Sequence, residues 1–184
     1  MEQAVRKRDA EATRQSIFQA ARTAFSHASY DQVTLREIAG MAEVDVALVV
    51  RYFGSKEELF AGVITLSGPQ PTPPEDHSLY GEWMVRRMLQ PEPHKDITHL
   101  LALHHSVTNP RAAEIIREVM RARFIEPMSR YIGGPDGELR AALLLSALAG
   151  FAMMRWVVEL GPATTTEREK LVQFLAPAIQ GYID

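Results

Sequence analysis

The stretch Thr34–Phe60, TLREIAGMAEVDVALVVRYFGSKEELF, decides the fold. Thr34 with Glu37 three residues on is a capping-box pair, so a short helix starts there. Leu35, Ile38, Ala39 and Ala42 fall on its inner face, and Val44 fills the turn that follows. Asp45 can cap a second short helix, whose Val49 and Phe53 point back into a core. Ser55 and Glu58 repeat the capping box for a third helix. Two short helices about a tight turn make a helix-turn-helix. Val46, Ala47 and Leu48, at the start of the second helix, have no bulk or charge to keep it from base edges in a major groove. Arg51 and Tyr52 are placed to reach phosphates or bases. Lys56 brings charge to a helix start, where amides and the dipole favour an anion.

Upstream, Arg6, Lys7 and Arg8 form a basic cluster that could track a DNA backbone or enter a minor groove, or simply open a solvated helix. The balance of charge is not that of a simple polyanion binder. The chain carries a net charge of -3, with a pI of about 6.1. Residues 1–60 hold eight Lys or Arg against nine Asp or Glu. Only segregation of those charges can make one face basic.

With 184 residues, one or two domains are expected. Apolar residues at 46% and charged residues at 23% are enough for a packed core and too little charge for disorder. No cysteine is present, so neither disulfides nor thiolate metal sites contribute, and a cytoplasmic location is expected. The start of the chain has no signal-peptide apolar stretch. The most apolar run, Ala141 to Met154, is 14 residues and short of the roughly 18 to 20 of a membrane span, so a buried helix and no membrane are expected.

Helical spacing of apolar residues runs throughout, which predicts an all-α protein. A first helix over Asp9–Ala28 carries Ile17, Ala21, Ala24, Phe25 and Ala28 on one stripe. Four prolines among the twelve residues Ser67–Ser78 forbid a helix there. The expected organisation is therefore a three-helix helix-turn-helix domain over residues 1–66, a Pro-rich linker over 67–78 and a second helical domain over 79–184. In the latter, helices are predicted at about 79–90, 96–108, 110–132, 136–160 and 166–183, with Pro127 and Pro177 kinking or shortening the helices they interrupt.

Arg14–Phe60, read whole, resembles the DNA-binding domain of the tetracycline-repressor (TetR) family of bacterial transcription regulators. The resemblance rests on Ala20, Ala21, Phe25, Tyr30, Thr34, Ile38, Ala39, Val44, Val49, Tyr52, Phe53, Lys56 and Leu59 at ungapped spacing. The chain departs from the pattern at Ser29 and Glu43, where glycine is usual, and at Val50, where tyrosine is common. The resemblance implies double-stranded operator DNA as partner, with Arg6, Lys7, Arg8, Thr34, Arg36, Asp45, Val46, Ala47, Leu48, Arg51, Tyr52 and Lys56 as the DNA-binding set.

It further implies a C-terminal domain that binds a small-molecule effector and forms a homodimer through its last two long helices. The sequence agrees, since 136–160 is apolar nearly all round. Leu143, Ala147, Phe151, Leu171, Phe174, Leu175, Ala178 and Tyr182 are the expected dimerisation residues. Soft and aromatic residues on the middle helices, Trp83, Met84, Met88, Leu100, His104, Met120, Phe124, Met153 and Trp156, are the candidate ligand lining, although helical spacing alone explains each, taken singly, better as ordinary core. His94, His99, His104 and His105 lack the three-or-four spacing of a helical metal site, so no metal or cofactor is expected. No nucleophile elbow or phosphate loop is present, so an enzyme is not expected. The function expected is a ligand-responsive repressor released by a small apolar effector. The alternatives are a helical carrier or enzyme, and a DNA-bound adaptor that contacts a protein.

Overall fold

The computed structural model describes residues 2–65, 72–90 and 97–184, with side chains from residue 9 onward. It is all-α, with no strand among the described residues. In chain order the helices are α1 (Glu2–His27), α2 (Leu35–Met41), α3 (Val46–Phe53), α4 (Lys56–Ile64), α5 (Tyr80–Met88), α6 (Thr98–Ser106), α7 (Pro110–Met120), α8 (Glu126–Ile132), α9 (Gly137–Trp156), α10 (Gly161–Thr165) and α11 (Arg168–Gln180). They form two compact units.

The first unit is built on α1–α4. Ile17, Ala20, Ala21, Ala24 and Phe25 of α1 are buried, at the three-and-four spacing read from the sequence. Phe60 of α4 meets Phe25 and Tyr30 edge-on at 5.0 and 5.1 Å between ring centroids, and Phe18 stacks on Phe53 at 6.1 Å. This unit also takes in Thr98–Val119, a segment expected to fold with the C-terminal half. The reason is packing: Ala102 of α6 and Ala112 and Ile115 of α7 are buried in the same core as α1 and α4. Arg111 of α7 also reaches Glu57 of α4 at 3.7 Å.

The turn between α2 and α3 is closed by Val44 N–H donating to the Ala39 carbonyl, 3.0 Å, and Glu43 N–H to Gly40, 3.2 Å. Glu43 has φ 55°, in the left-handed region where a Cβ crowds the backbone. Ser29 at the other departure from the family pattern needs no such conformation. The turn is closed by Gln32 and Val33 N–H donating to the Ser29 carbonyl, 3.1 and 3.3 Å, and is reinforced by Ser29 N–H donating to Gln32 Oε1 and the Ser29 hydroxyl to Asp31 Oδ1 at 2.8 Å.

The second unit is built on α5 and α8–α11. Tyr80, Val85, Leu89, Leu144, Leu148, Leu171, Val172, Ile179 and Ile183 form its core. Gly81 lets α5 and α11 touch: a methyl there would collide with the Ala176 carbonyl and with the Gln180 backbone. Its N–H donates to Gln180 Oε1 at 2.8 Å, and the Gln180 amide donates in turn to the His77 carbonyl at 3.0 Å. Arg86 and Glu169 close the same crossing with a two-pronged pair, 2.8 Å on each prong.

The structure refines three sequence expectations. Pro127 does not kink one long helix. The chain widens into a π-helical turn, Arg121–Ile125, and restarts as α8 with the proline in its first turn, where its missing N–H and its ring do no harm. Pro177 is carried inside α11, which continues to Gln180. α9 ends at Trp156 rather than near 160, and the chain turns away from it with Glu159 left-handed at φ 54° and Leu160 N–H returning to the Met154 carbonyl at 2.8 Å.

α9 also corrects the estimate of apolar length. At 20 residues it is long and apolar enough to cross a membrane by length and composition, because Gly137, Leu139 and Trp156 extend the run beyond the 14 residues read from the sequence. Its Ala141, Leu144, Leu148 and Ala152 are nonetheless buried within the unit, the use a core helix makes of such a composition.

Two outcomes follow from these backbone observations. Glu43→Gly relieves the left-handed turn and stabilises the protein by about 1 kcal/mol, read as a raised melting temperature. Gly81→Ala drives a methyl into the α5–α11 crossing and destabilises it by about 1–3 kcal/mol, read from the midpoint of chemical unfolding.

Candidate DNA-binding surface

Each helix of the helix-turn-helix is started by the residue that the sequence nominates. Thr34 Oγ1 accepts from Glu37 N–H at 3.1 Å, and Asp45 Oδ1 accepts from Ala47 N–H at 2.7 Å. Ser55 Oγ accepts from Glu58 N–H at 3.1 Å while Glu58 Oε2 accepts from Ser55 N–H at 2.8 Å, a complete capping box. Gly54 joins α3 to α4 with φ 74°, and a Cβ there would collide with the Glu58 carboxylate that closes the box.

Packing determines which side of α3 faces outward. Val49 is 1% exposed, and Leu48, Tyr52 and Phe53 pack half-buried against the same core. Asp45, Val46, Ala47, Val50 and Arg51 are thereby left exposed, as are Thr34, Arg36 and Met41 on and around α2. The structure thus separates the expected DNA-binding residues. Thr34, Arg36, Asp45, Val46, Ala47 and Arg51 lie on the outer surface, whereas Leu48 and Tyr52 are largely used by the core. The side chains of Arg6, Lys7 and Arg8 lie outside the described residues.

Val50 and Met41, 48% and 47% exposed, were absent from that set although they share the outer surface. The signal for Val50 was available in the sequence, since positions 46, 47, 50 and 51 lie on one face of a helix.

Lys56 is half-buried, with its ammonium over the Tyr30 ring at 4.3 Å, a cation–π contact. Burial lowers its pKa, opposed by the charges of Asp31 and Glu57. Burial, with Glu57 beside it, pushes the Tyr30 phenol up to about 12. The α4 start is less open to an anion than its sequence suggests. The Glu58 amide is capped by Ser55, and the Glu57 carboxylate, held low first by its own backbone amide and then by the Tyr30 hydroxyl, stands in the first turn. Thr34 keeps a hydroxyl proton to donate after its oxygen has accepted the cap bond.

The expected ligand residues fall in both units. Trp83, Met84, Met88 and Phe124 pack half-buried around the core of the second, and Met120, Met153 and Trp156 are half-buried within it. Leu100 and His104 fold with the first unit, where His104 is exposed with its ring edge-on to His105. His94 lies outside the described residues, and no group of three or more metal-ligating side chains occurs among those described.

Tyr80 is a residue that sequence reasoning passed over, because nothing in helical spacing marks it. It is fully buried, its ring lies 5.5 Å from Trp83 and 5.4 Å from Tyr131, and its hydroxyl has no hydrogen-bond partner among the described residues. Burial raises its pKa, so the phenol stays protonated.

Among the expected dimerisation residues, Leu143 on α9 and Phe174 and Ala178 on α11 are exposed, Phe174 by 73%. Ala147, Phe151, Leu175 and Tyr182 pack half-buried on the core of their own unit, and Leu171 is inside it.

Comparison with known proteins agrees with this architecture. The family described as bacterial regulatory proteins, tetR family, matches residues 17–63, and that described as tetracyclin repressor-like, C-terminal domain, matches residues 79–183. No curated protein matches the chain. Among solved structures, a TetR-family regulator from Streptomyces coelicolor A3 is 26% identical with a TM-score of 0.53, over 93% of this chain and 94% of its own. A protein of Mesorhizobium loti MAFF303099 assigned to the TetR-family transcriptional regulators is 17% identical with a TM-score of 0.47, over 94% of this chain and 96% of its own. A helix-turn-helix capped at each helix and followed by a matching helical C-terminal domain places this chain in the TetR family, as a DNA-binding transcriptional regulator.

Proposed function

We propose that this regulator is a homodimeric repressor that binds a near-palindromic operator and is released by a small, largely apolar effector. The observation that carries the dimer is the exposure of large apolar side chains on the last two long helices. Leu139, Leu143 and Met154 on α9 are 59%, 45% and 38% exposed, and Phe174 on α11 is 73% exposed. Leu139, Leu143, Ser146 and Gly150 follow one another at helical spacing, so the apolar side chains sit on a continuous stripe with small residues that permit close helix approach. Water-facing leucine and phenylalanine in that arrangement favour burial against a second copy.

Two recognition helices related by a twofold axis then enter major grooves about one helical turn apart. Arg51 and Lys56 meet phosphates at the edges of each groove. The effector reading rests on the interior of the second unit, where Trp83, Met84, Met88 and Phe124 surround the core that holds Tyr80. Soft and aromatic side chains adapt to an apolar guest, and the unpartnered Tyr80 hydroxyl offers it one hydrogen bond. Release needs only that the effector bind more tightly to a dimer geometry that fits DNA poorly, and its effect is bounded by that difference in affinity. The reading includes no covalent step.

Three measurements test this. The protein retards a fragment from upstream of its own gene at low salt, and an effector abolishes the shift. A retained shift with every apolar compound that demonstrably binds would leave the protein-adaptor reading in its place. Arg51→Ala and Lys56→Ala each weaken DNA binding and reduce the slope of log affinity against log salt by about 1; an unchanged slope removes them from the phosphate contacts. Phe174→Asp puts a charge into the dimer seam and yields a folded monomer by size-exclusion chromatography with light scattering, with DNA affinity lost in parallel.

A further inference from the structure

The outer face of α3 is unusually poor in hydrogen-bonding groups for an element that reads base edges. Of the four outward positions, Val46, Ala47 and Val50 are aliphatic, with Val46 and Val50 38% and 48% exposed. Met41 at the end of α2 adds a fourth apolar side chain, 47% exposed. The Asp45 carboxylate at the helix start already accepts from the Ala47 amide at 2.7 Å. Arg51 is the remaining outward side chain with donors to offer.

In the major groove every base pair presents hydrogen-bond donors and acceptors, and an A·T pair alone adds an apolar group, the C5-methyl of thymine. Aliphatic side chains pressed against donors and acceptors strip them of water and return nothing. Against a methyl group, the same side chains gain apolar burial. We propose that α3 reads its operator through thymine methyl groups packed against Val46 and Val50, so that specificity in each half-site rests on apolar contact more than on hydrogen bonds. Arg36 on α2 and Arg51 on α3 are exposed and bring positive charge to the helix-turn-helix against the Asp45 carboxylate at the α3 start, a charge that suits a groove walled by phosphates and does not suit an apolar protein partner.

This inference rests on α3 being the element that enters the groove, and the test separates the two. Sites are selected with the full-length protein from a random duplex library amplified in vitro, in which thymine is the sole carrier of a C5-methyl. In the enriched duplex each conserved thymine is then replaced, one at a time, by uracil, which lacks the methyl and keeps the base-pairing edge. The expected result is a loss of about fourfold in affinity for each methyl contacted, at one or two positions per half-site, with uracil at flanking positions neutral. Val50→Ala, a change at an exposed site that leaves folding intact, erases the thymine–uracil difference at its own position. Equal binding of thymine and uracil duplexes at every position overturns the inference while leaving DNA binding by α3 in place. Failure to enrich any sequence overturns the operator reading and this inference with it.

Discussion

The burial of the inner face of α3 is the constraint on which the DNA-binding surface depends. A helix of eight residues cannot stand alone in water, because nucleation costs more than so few hydrogen bonds return. α3 exists because Val49 is sealed in the core and because Leu48, Tyr52 and Phe53 lie against the same cluster that holds Phe25 and Phe60. With those four committed inward, residues 46, 47, 50 and 51 have nowhere to go but out. The face offered to DNA is thus set by the core, and its chemistry by whichever residues remain.

That economy leaves conflicts in place. Glu43 is held left-handed in a turn where glycine would be at ease, and Asp45 caps α3 with a carboxylate close to where a polyanion must lie. Lys56, the natural phosphate partner, is half-buried over Tyr30 with Glu57 and Glu58 in the same helical turn. Three of these acidic groups have a local use: Asp45 as a cap, Glu58 in a capping box and Glu57 in an ion pair to Arg111. Arg36 and Arg51 remain exposed cations on the helix-turn-helix.

The helix-turn-helix was legible because its signals are local. A cap is a residue and an amide two or three positions on, and Thr34, Asp45 and Ser55 each start the helix expected of them, with the reciprocal bond of a full capping box present at Ser55 and Glu58. The exposed face of α3 was legible only in part: Asp45, Val46, Ala47 and Arg51 do lie outward, whereas Leu48 and Tyr52, expected there, pack half-buried on the core, and Val50, outward in the structure, was not among the expected residues. The second half was less open to reading, because what decides its structure is not local. Nothing in the spacing of Thr98–Val119 says that Ala102, Ala112 and Ile115 pack with the N-terminal helices. Nothing in the run around Pro127 announces a π-helical turn in place of a kink, and nothing sets Tyr80 apart from other core aromatics until its hydroxyl is found without a partner. Leu171 and Phe174 are three apart on α11, yet one is in the core and the other in solvent. Apolar identity gave no means to separate a residue that faces its own unit from one that faces outward.

Two kinds of apolar surface thus remain exposed, one at the reading end and one on the last two long helices, and they imply different partners. The first comprises Met41, Val46 and Val50 and is the one we propose meets base edges; the second comprises Leu139, Leu143 and Met154 on α9 and Phe174 on α11 and is the one we propose meets a second copy. Hydroxyl-radical footprinting of the purified protein on a selected operator addresses both at once. Two protected segments related by a twofold axis, with recognition centres about one helical turn apart, are the predicted result. A single protected segment without symmetry, or protection that does not depend on sequence, would contradict a dimer that reads its operator through paired α3 helices.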